Sequence, residues 1–203
     1  MVNDGTLTKG QATRAHLVAV ARDLFAAQGY EGTPIEAVLK AADVSRGALY
    51  HHFANKEALF EAVFLDLEAE IAERVAVVAA GAPDPATALR AGCLEWVRMA
   101  GAPVIQRVVL LDAPSVLGWE RWRAIEEDNA LGMLKVGLAA LEAESGRPAD
   151  AALPGGLVDT FAHVLLASLN EIALMVARSP RPKAALRDGE RAVDELLRRL
   201  LGV

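Results

Sequence analysis

The sequence predicts an all-α protein in which a small three-helix head is joined by one long helix to a larger helical body. Two observations support this fold class. Apolar residues recur at about the 3.6-residue spacing that places them on one face of a helix, and no stretch shows the alternation of a strand. Beyond residue 80, clusters of glycine and proline divide the chain into about five such segments.

The composition sets limits on domain number, redox chemistry and location. The chain has 203 residues, of which 53% are hydrophobic, so it can bury a substantial core in one or two domains. Its single cysteine, Cys93, excludes an internal disulfide and a cysteine-based metal cluster. The first residues are polar and no uninterrupted apolar run reaches about 18 residues. We therefore expect a cytoplasmic protein with no signal peptide and no membrane partner.

The first helix is predicted over about residues 11 to 28, after a disordered lead-in at residues 1 to 10. Gly29 ends it, because glycine readily takes the left-handed conformation found at helix C-termini. We expect this helix to form the third wall behind the two helices that follow. Its apolar face consists of Leu17, Val20, Ala21, Leu24 and Phe25.

The second helix is predicted to begin at Pro34. Thr33 is a favourable N-cap, and proline suits the first helical position because an N–H there would be unpaired anyway. Glu36 completes a Thr-x-x-Glu capping box. Ala41, Ala42 and Asp43 then lead out of the helix.

A further N-cap, Ser45, starts a third helix from Arg46 to about Phe53. Two helices of about two turns each, separated by three or four residues, form a helix-turn-helix. The second helix of such a motif is narrow enough to enter the major groove of DNA. The stretch from 33 to 53 is therefore the predicted DNA-reading motif.

The outer side of this third helix carries residue types suited to DNA. Arg46 can form a bidentate pair with guanine, and Ala48 can pack on a thymine methyl group. Gly47 costs about 1 kcal/mol in a helix relative to alanine, which indicates that the backbone there must come close to something, and DNA is a reasonable candidate. With Leu49 and Phe53 facing inward, the candidate exposed residues are Arg46, Gly47, Ala48, Tyr50, His51 and His52.

Two of these residues have an ordinary structural alternative. Tyr50 is either a DNA contact or a half-buried aromatic with a hydrated hydroxyl, and His51 is either a DNA contact or a solvated histidine. The adjacent pair His51 and His52 is not a metal site, because neighbouring helical side chains point about 100° apart. We expect no metal and no cofactor.

The longest helix is predicted from Lys56 to about Ala80, with Asn55 as its N-cap. Its roughly 25 residues would span about 37 Å, which is enough to belong to both the head and the body. Such a rod is suited to transmit a conformational change, although a plain connecting helix would have the same pattern. A phosphate bound at its N-terminus would neutralise Lys56, whose charge opposes the helix dipole.

Three stretches of the head form a recognisable pattern: Leu24-Phe25-x-x-x-Gly29-Tyr30-x-Gly32-Thr33, Ala41-Ala42-Asp43-Val44-Ser45-Arg46-Gly47-Ala48-Leu49-Tyr50-His51-His52-Phe53 and Asn55-Lys56-Glu57-Ala58-Leu59. Through them, residues 11 to 65 resemble the tetracycline-repressor (TetR-type, AcrR-like) family of bacterial transcriptional regulators. One departure is Asp43, where the family usually has a glycine at the left-handed position between the two helices. Asp tolerates that conformation less well than glycine, so we expect a slightly strained turn.

The resemblance implies roles for individual residues and for whole segments. Thr33, Tyr50 and Lys56 would touch phosphates. Residues 11–56 would form the DNA-binding domain, and 57–203 the ligand-binding and dimerisation domain. The residues that would face bases or the flanking backbone are Ser45, Arg46, Gly47, Ala48 and His52.

The charge distribution indicates that DNA would be contacted only locally. The chain has 21 basic and 27 acidic residues and a net charge of −6. The first 60 residues are neutral, so the excess acid lies in the body. A neutral head on an acidic body fits moderate, salt-dependent DNA affinity and excludes a DNA-coating protein. The head's basic residues are Lys9, Arg14, Arg22, Lys40, Arg46 and Lys56, and its acidic ones are Asp4, Asp23, Glu31, Glu36, Asp43 and Glu57.

The body contains large side chains that could line a cavity for a small molecule. Leu110 to Trp122 is predicted as a broken helix, interrupted by Pro114 and Gly118. A lipophilic or aromatic effector would suit such a lining. The alternative is ordinary core packing for each tryptophan. The candidate apolar ligand-binding residues are Trp96, Met99, Trp119, Trp122 and Met133.

A polar strip along the next helix offers a second group of candidates. Asp159, His163 and Asn170 share one face at spacings of four and seven. His163 and Asn170 would either anchor a polar group of the ligand or be satisfied as internal hydrogen bonds. Both alternatives remain open at this point.

The last two helices predict a homodimer. The segment 157–178 is apolar almost all round, so it must be buried on two sides, and 183–201 carries a leucine-rich face. Together they would form a four-helix interface with a second copy. A two-fold pair also suits DNA, whose groove repeats every ~34 Å.

These features favour a ligand-responsive repressor that leaves a palindromic operator when a small molecule enters the body. An enzyme is not expected, because no G-x-S-x-G, phosphate loop, H-E-x-x-H or cysteine-histidine pair occurs. The alternative is a dimeric helical adapter without DNA binding. Intact Arg46, Tyr50 and Lys56 favour the regulator.

Overall fold

The computed structural model describes residues 8 to 144 and 155 to 201, and within them it is helical without a strand. The predicted all-α class is confirmed, with a small N-terminal head and a larger helical body. The elements in chain order are α1 (Lys9–Gly32), α2 (Ile35–Ala42), α3 (Arg46–His52), α4 (Lys56–Ala80), α5 (Pro85–Met99), the π-helical segment Ile105–Asp112, α6 (Ala113–Val116), α7 (Trp119–Asp128), α8 (Ala130–Glu144), α9 (Gly155–Ala177) and α10 (Pro182–Leu201).

Helix α1 starts two residues earlier than predicted. Thr8 caps it in a full capping box: the Gln11 N–H donates to Thr8 Oγ1, and the Thr8 N–H donates to Gln11 Oε1. Residues 8 to 10 are therefore not part of a disordered lead-in, and residues 1 to 7 lie outside the described range. Gly29, with φ of 73°, breaks the helix where the sequence predicted its end.

The break at Gly29 explains why α2 begins at Ile35 and not at Pro34. It leaves backbone carbonyls at the end of α1 without helical partners. The Thr33 hydroxyl donates to the Gly29 carbonyl at 2.8 Å, so it does not cap α2, and the predicted capping box with Glu36 does not form. Pro34 occupies the cap position without a side-chain hydrogen bond.

The other predicted caps are confirmed. Ser45 Oγ accepts from the Ala48 N–H at 3.1 Å, and Asn55 Oδ1 accepts from the Ala58 N–H at 2.7 Å. Asp43 takes the left-handed conformation between α2 and α3, with φ of 51°. In the two described ranges it is the one non-glycine residue with positive φ.

An aromatic cluster joins the head to the start of α4. The rings of Phe25 and Phe60 lie 5.2 Å apart, and Tyr30 lies 5.2 Å from Phe60, both in edge-on arrangements. Phe25, Phe60 and Leu49 are fully buried. Edge-on aromatic pairs contribute about 0.5–1.5 kcal/mol beyond their area burial. Helix α4 is thereby fixed to the head.

The body surrounds the far half of α4. Helix α5 packs on α4, α8, α9 and α10, and α9 also packs on α8 and α10. The π-helical segment Ile105–Asp112 packs against α1 and also contacts α4 and α9. The head therefore meets the body through α4 and through this segment.

The irregular stretch before α7 was predicted, but the break after α7 was not. Gly118, with φ of 74°, turns the chain into α7, whereas Pro114 lies near the start of α6 without ending the helix. Helices α7 and α8 are separated at Asn129, whose side-chain N–H donates to the Ile125 carbonyl at 2.8 Å. A local amide contact replaces the helical pattern there without a glycine or proline at position 129.

Helix α9 is buried on one side and exposed on the other. By length and composition alone, its residues Leu157–Ala177 would suffice to cross a membrane, with a hydropathy of 1.6. In the fold, Leu165, Leu169 and Ala173 are buried in the body core. Val164 and Met175 remain 46% and 65% exposed. The sequence predicted burial of α9 on two sides. Within one chain, only one of these sides is buried.

Candidate functional site

The exposed face of α3 carries most of the predicted DNA-reading residues. Arg46, Gly47 and His51 are exposed, Tyr50 is 43% exposed, and Ala48 and His52 are half-buried. Leu49 is fully buried, as predicted. The helix is thus held by its inner side and offers a row of polar and small side chains outward.

Arg46 is held by a neighbour on α2. Its Nη2 donates to Glu36 Oε1 at 2.5 Å, and both side chains are more than half exposed. A backbone N–H in the first turn of α2, followed by the Arg46 guanidinium, lowers the pKa of Glu36. The side chain that is chemically best suited to guanine is therefore already ion-paired when no DNA is present.

Gly47 is not required by the protein's own packing. A Cβ built there would meet only Ser45 Oγ, at 3.9 Å. The helix penalty of this glycine therefore has no compensation within the chain. This supports the prediction that an external surface approaches α3 at this position.

Two predicted phosphate contacts have structural roles. Thr33 is fully buried, and its N–H and hydroxyl bond to the Tyr30 and Gly29 carbonyls, so the predicted contact of Thr33 with phosphate is wrong. Lys56 is half-buried, and its Nζ donates to the Tyr30 carbonyl at 2.7 Å. It also lies 4.0 Å from the Tyr30 ring centroid. Contact of Lys56 with phosphate stays a prediction, now for an ammonium group that already links α1 to α4.

The structure adds the N-terminus of α1 to the candidate DNA surface. The Arg14 guanidinium lies 5.2 Å from the centroid of the Phe53 ring, at the end of α3. Gly10 approaches His52, with a built Cβ 3.9 Å from His52 Cε1. Lys9, one residue before Gly10, is exposed. The sequence signal was available, because Arg14 precedes the buried Leu17 by three residues and so lies near the same helical face.

A cavity of about 790 Å³ lies in the body, between α4, α5, α8 and α9. Its volume lies within the usual range for ligand sites, about 300–1,000 Å³. Two of the predicted ligand-binding residues, Trp96 and Met133, line it. Its apolar walls include Ile71, Val75, Leu89, Leu134, Leu166 and Leu169.

The other five predicted ligand-binding residues lie away from this cavity. Trp119 is 64% exposed, because the turn at Gly118 starts α7 at the surface. The Arg123 guanidinium stacks on both Trp119 and Trp122, 4.6 Å and 4.8 Å from their ring centroids. These tryptophans thus pack around an arginine and do not line the ligand cavity as predicted.

The remaining three are not among the residues that line the cavity, although other residues of their helices are. Met99 is buried beside a smaller space of about 180 Å³. His163 Nδ1 lies 2.9 Å from the Asp159 carbonyl, which matches the internal hydrogen bond that was the alternative for it. Asn170 is half-buried and its Oδ1 has no hydrogen-bond partner in the described ranges.

Ionisable groups in and behind the cavity have shifted pKa values. Burial, reinforced by the charge of Glu126, raises the pKa of Glu68 to about 8. Burial also raises the pKa of Glu126 to about 7, against the opposing effect of Arg123. Burial raises the pKa of the Cys93 thiol, which lines the cavity, to about 12. At pH 7 the cavity therefore contains a largely neutral carboxyl and a neutral thiol.

Family comparisons identify the class of the protein. Residues 17–63 match the model for bacterial regulatory proteins of the tetR family, and residues 86–200 match the tetracyclin repressor-like C-terminal domain. The chain belongs to the TetR family. The second match alone covers more than half of the chain. The predicted class of helix-turn-helix transcriptional regulator is thereby confirmed, as is the expectation that the protein is not an enzyme.

Individual TetR-family relatives agree with this assignment. A solved TetR-family transcriptional regulator from Pectobacterium atrosepticum shares 33% identity over 97% of both chains, with a TM-score of 0.77. The regulator UidR of Escherichia coli K12 is 39% identical over 62 residues, which is 30% of this chain and 32% of UidR. AcrR of Shigella flexneri is 40% identical over 86 residues, 42% of this chain and 40% of AcrR. These curated relatives are thus matched over less than half of their length.

TetR-family regulators bind operator DNA and small-molecule effectors and are typically cytoplasmic dimers. The exposed face of α3 and the body cavity are the candidate surfaces of this chain for those functions. They lie on elements joined by α4.

Proposed function

We propose that this TetR-family protein is a dimeric cytoplasmic repressor that occupies a palindromic operator and leaves it when a lipophilic or aromatic small molecule enters the body cavity. In this proposal residues 11–56 bind DNA, with 33–53 as the reading motif, and 57–203 bind the effector and a second copy. The observation that carries the proposal is the position of α4, because one helix is fixed in the head and also forms a wall of the cavity.

The head end of α4 is firmly attached. Asn55 caps it, Phe60 packs on Phe25, and Lys56 donates to the Tyr30 carbonyl. At the other end Glu68, Ile71 and Val75 line the cavity. A ligand that changes the packing around the second group therefore acts on a rod whose first turn moves with the head.

A second connection holds the end of α1. Asp112 Oδ2 accepts from the Tyr30 N–H at 2.7 Å and from Arg107 Nε at 3.2 Å. Arg107 fills the space beside Gly29, where any side chain would overlap its guanidinium. The π-helical segment thus contacts α1 directly beside the break at Gly29. In this proposal the orientation of the head depends on both this contact and α4.

The exposed apolar face of α9 supports dimerisation with a second copy. Leu157, Val164 and Met175 are 41% or more exposed along it. Leu200 on α10 is 37% exposed. Apolar faces of this kind mark protein interfaces. A two-fold pair through α9 and α10 would present two α3 helices to neighbouring major grooves, about 34 Å apart.

The coupling between effector and operator needs only a modest free energy. Allosteric pairs typically show about 1–3 kcal/mol, or roughly 5- to 150-fold in affinity. The effector can shift operator affinity only by binding the two states differently. Movement of α4 relative to the π-helical segment is the structural difference that we expect between them.

The test is selection of sheared genomic DNA by the purified protein, followed by sequencing of the retained fragments and titration of the recovered site. We expect an inverted repeat. Substituting Arg46→Ala and Tyr50→Ala together should weaken binding by roughly 10- to 1,000-fold, because a lost base contact costs about 1–3 kcal/mol and a lost phosphate contact adds to it. His163→Ala, outside the head, is the control. A folded dimer that enriches no DNA sequence in this selection would favour the adapter alternative.

A further inference from the structure

A buried carboxyl group in the cavity is not used by the fold. Glu68 is 4% exposed and its residue lines the cavity. Within the described ranges no hydrogen bond or ion pair is made by its carboxyl group, whose oxygens are not among the side-chain atoms that are fully enclosed without a partner. The carboxyl group is therefore open to a ligand in the cavity, while its burial disfavours the charged form. Such a group is retained more readily where a ligand provides its partner.

The charges around the cavity all have the same sign. Asp84 and Asp128 are exposed at its rim, and Glu68 lies inside. Among the described residues that line it, none is a lysine, arginine or histidine. Glu126 lies close enough to Glu68 to raise its pKa further. The cavity thus has apolar walls, negative charges at its rim and one interior carboxyl group that is largely neutral until a cation favours its ionisation.

Trp96 provides two further recognition features. It is 9% exposed, it lines the cavity, and its Nε1 has no hydrogen-bond partner in the part of the chain that the structure describes. Its indole ring is the aromatic face that best attracts a cation, at about 6 Å or less from the ring centroid. Its N–H can donate to a ligand oxygen or nitrogen. An apolar molecule with a positive charge and an acceptor atom would use both groups.

We infer that the cavity binds a lipophilic organic cation, with Glu68 as its counter-ion, Trp96 as its aromatic contact and the rim acids Asp84 and Asp128 at its entrance. This inference rests on the proposed function, because it gives a charge to the effector. A lipophilic anion is disfavoured, since it would meet Glu68 and the rim acids without a basic group among the described lining residues. A neutral ligand would neither offset the charges of the rim acids nor favour ionisation of Glu68.

The binding of a cation should also release a proton. The charge of Glu68 is set by its burial and by Glu126 on α7, which is itself paired with Arg123. The neutral Cys93 thiol on α5 also lines the cavity. Glu68 is largely protonated at pH 7, and a cation beside it favours the ionised form. Calorimetric titration in two buffers of different ionisation enthalpy measures the number of protons released per bound cation.

The test uses tetraphenylphosphonium and tetraphenylborate, a cation and an anion of the same shape and apolar surface, on the full-length protein. Binding is followed by calorimetry and by the fluorescence of Trp96 above the background of the two other tryptophans. We expect the cation to bind at least about tenfold more tightly than the anion, a difference of about 1.4 kcal/mol. Equal affinities, or tighter binding of the anion, would overturn the inference.

A matched pair of variants locates the charge. Glu68→Gln should weaken binding of the cation by about tenfold, abolish proton release and leave the anion as weak as before or slightly tighter. Glu73→Gln, an exposed position on the same helix away from the cavity, should change nothing. An unchanged cation affinity in Glu68→Gln would contradict the role of Glu68. If that variant does not fold, the comparison of the two ions on the wild-type protein still decides the matter.

Operator release separates this inference from the function on which it rests. Both ions are added to the protein bound to its selected DNA. Release by the anion alone would support the regulator and refute the cationic effector. Tight binding of the cation without any change in operator affinity would support the cationic site and refute effector-controlled repression through this cavity.

Discussion

The ion pair between Glu36 and Arg46 sets a condition on DNA recognition at the scale of single residues. Arg46 has to leave or share the Glu36 carboxylate before it can bind guanine or phosphate. Both groups are exposed, so the pair is held only weakly against water. The carboxylate also adds a negative charge beside the DNA. We therefore expect Glu36 to weaken binding to operator DNA. The sequence had indicated only a capping role for this residue.

Removal of that charge should tighten operator binding. We expect Glu36→Gln to increase affinity for operator DNA by roughly two- to fivefold at low salt. It should also reduce the discrimination between operator variants, because Arg46 becomes available to phosphate as well as to guanine. Fluorescence anisotropy over a salt series measures both effects. Glu31→Gln, an exposed glutamate of the same head, controls for net charge. Equal gains in both variants would show that the ion pair has no specific role.

A pH dependence of stability follows from Glu68. Its pKa is raised from 4.5 to about 8 in the folded protein, so its contribution to stability is fully present below pH 4.5. It is lost as the pH rises through 8, because the unfolded chain has then released a proton that the folded chain still holds. Wild-type protein should therefore melt at progressively lower temperature between about pH 5 and pH 8.

Glu68→Gln should show a smaller decline over the same pH range. At pH 8 we expect its free energy of unfolding to exceed that of the wild type by about 2 kcal/mol. At roughly 2–4 °C per kcal/mol for a chain of this size, its melting temperature should be about 4–8 °C higher. Glu126, with a pKa raised to about 7, remains and keeps part of the slope. Differential scanning calorimetry of wild type, Glu68→Gln and Glu73→Gln between pH 5 and 8 is the measurement. Parallel curves for all three would disprove the buried-carboxyl explanation.

At the scale of elements, the π-helical segment is the least conventional connection between body and head. Asp112 satisfies the Tyr30 N–H directly after the break at Gly29, where the helix itself provides no partner. The same carboxylate fixes Arg107 against Gly29. One residue of the body thereby holds the last turn of α1, and α1 forms a wall behind the reading helix.

Loss of that carboxylate should loosen the head. We expect Asp112→Ala to speed amide hydrogen exchange at the end of α1 and the start of α4, because an unsatisfied buried N–H costs about 1–3 kcal/mol. Operator affinity should fall severalfold as the head orientation becomes less fixed. Asp188→Ala, an exposed aspartate on α10, is the control. Unchanged exchange at Tyr30 would show that the contact does not hold the head.

Elements with local signals were predicted from the sequence, and tertiary arrangements were not. Ser45 and Asn55 were identified as caps because a cap acts on an N–H three residues away. The break at Asn129 was not predicted, because an asparagine that interrupts a helix through its side chain cannot be distinguished in the sequence from one within a helix. Trp119 and Trp122 were placed in the cavity because size and polarity do not tell which helix faces meet. The turn at Gly118 leaves Trp119 exposed, whereas Trp122 is half-buried and packs against the core away from the cavity.

At the scale of the whole molecule, we expect function to depend on a second copy bound at the exposed face of α9. Val164→Glu and Met175→Glu together should convert the protein to a monomer in sedimentation velocity, since each places a charge in a proposed apolar interface. Operator affinity should then fall by about 100-fold or more, because the gain from linked half-sites is lost. Val77→Glu, 68% exposed on α4, is the matched control. A dimer that survives the double substitution would place the interface elsewhere.

Because α4 is long, a small rotation at one of its ends displaces the other end by a larger distance. A helix of 25 residues, Lys56–Ala80, spans about 37 Å. If it pivots near its cavity end by about 5°, its head end travels about 3 Å along that arc. The two-fold axis of the proposed dimer rotates the other head by the same amount, so components of motion perpendicular to the axis are opposite in the two heads. The separation of the reading helices would then change by up to about twice that distance, against a groove repeat of ~34 Å. A side-chain rearrangement too small to disturb the body core would therefore take both heads out of register with the operator.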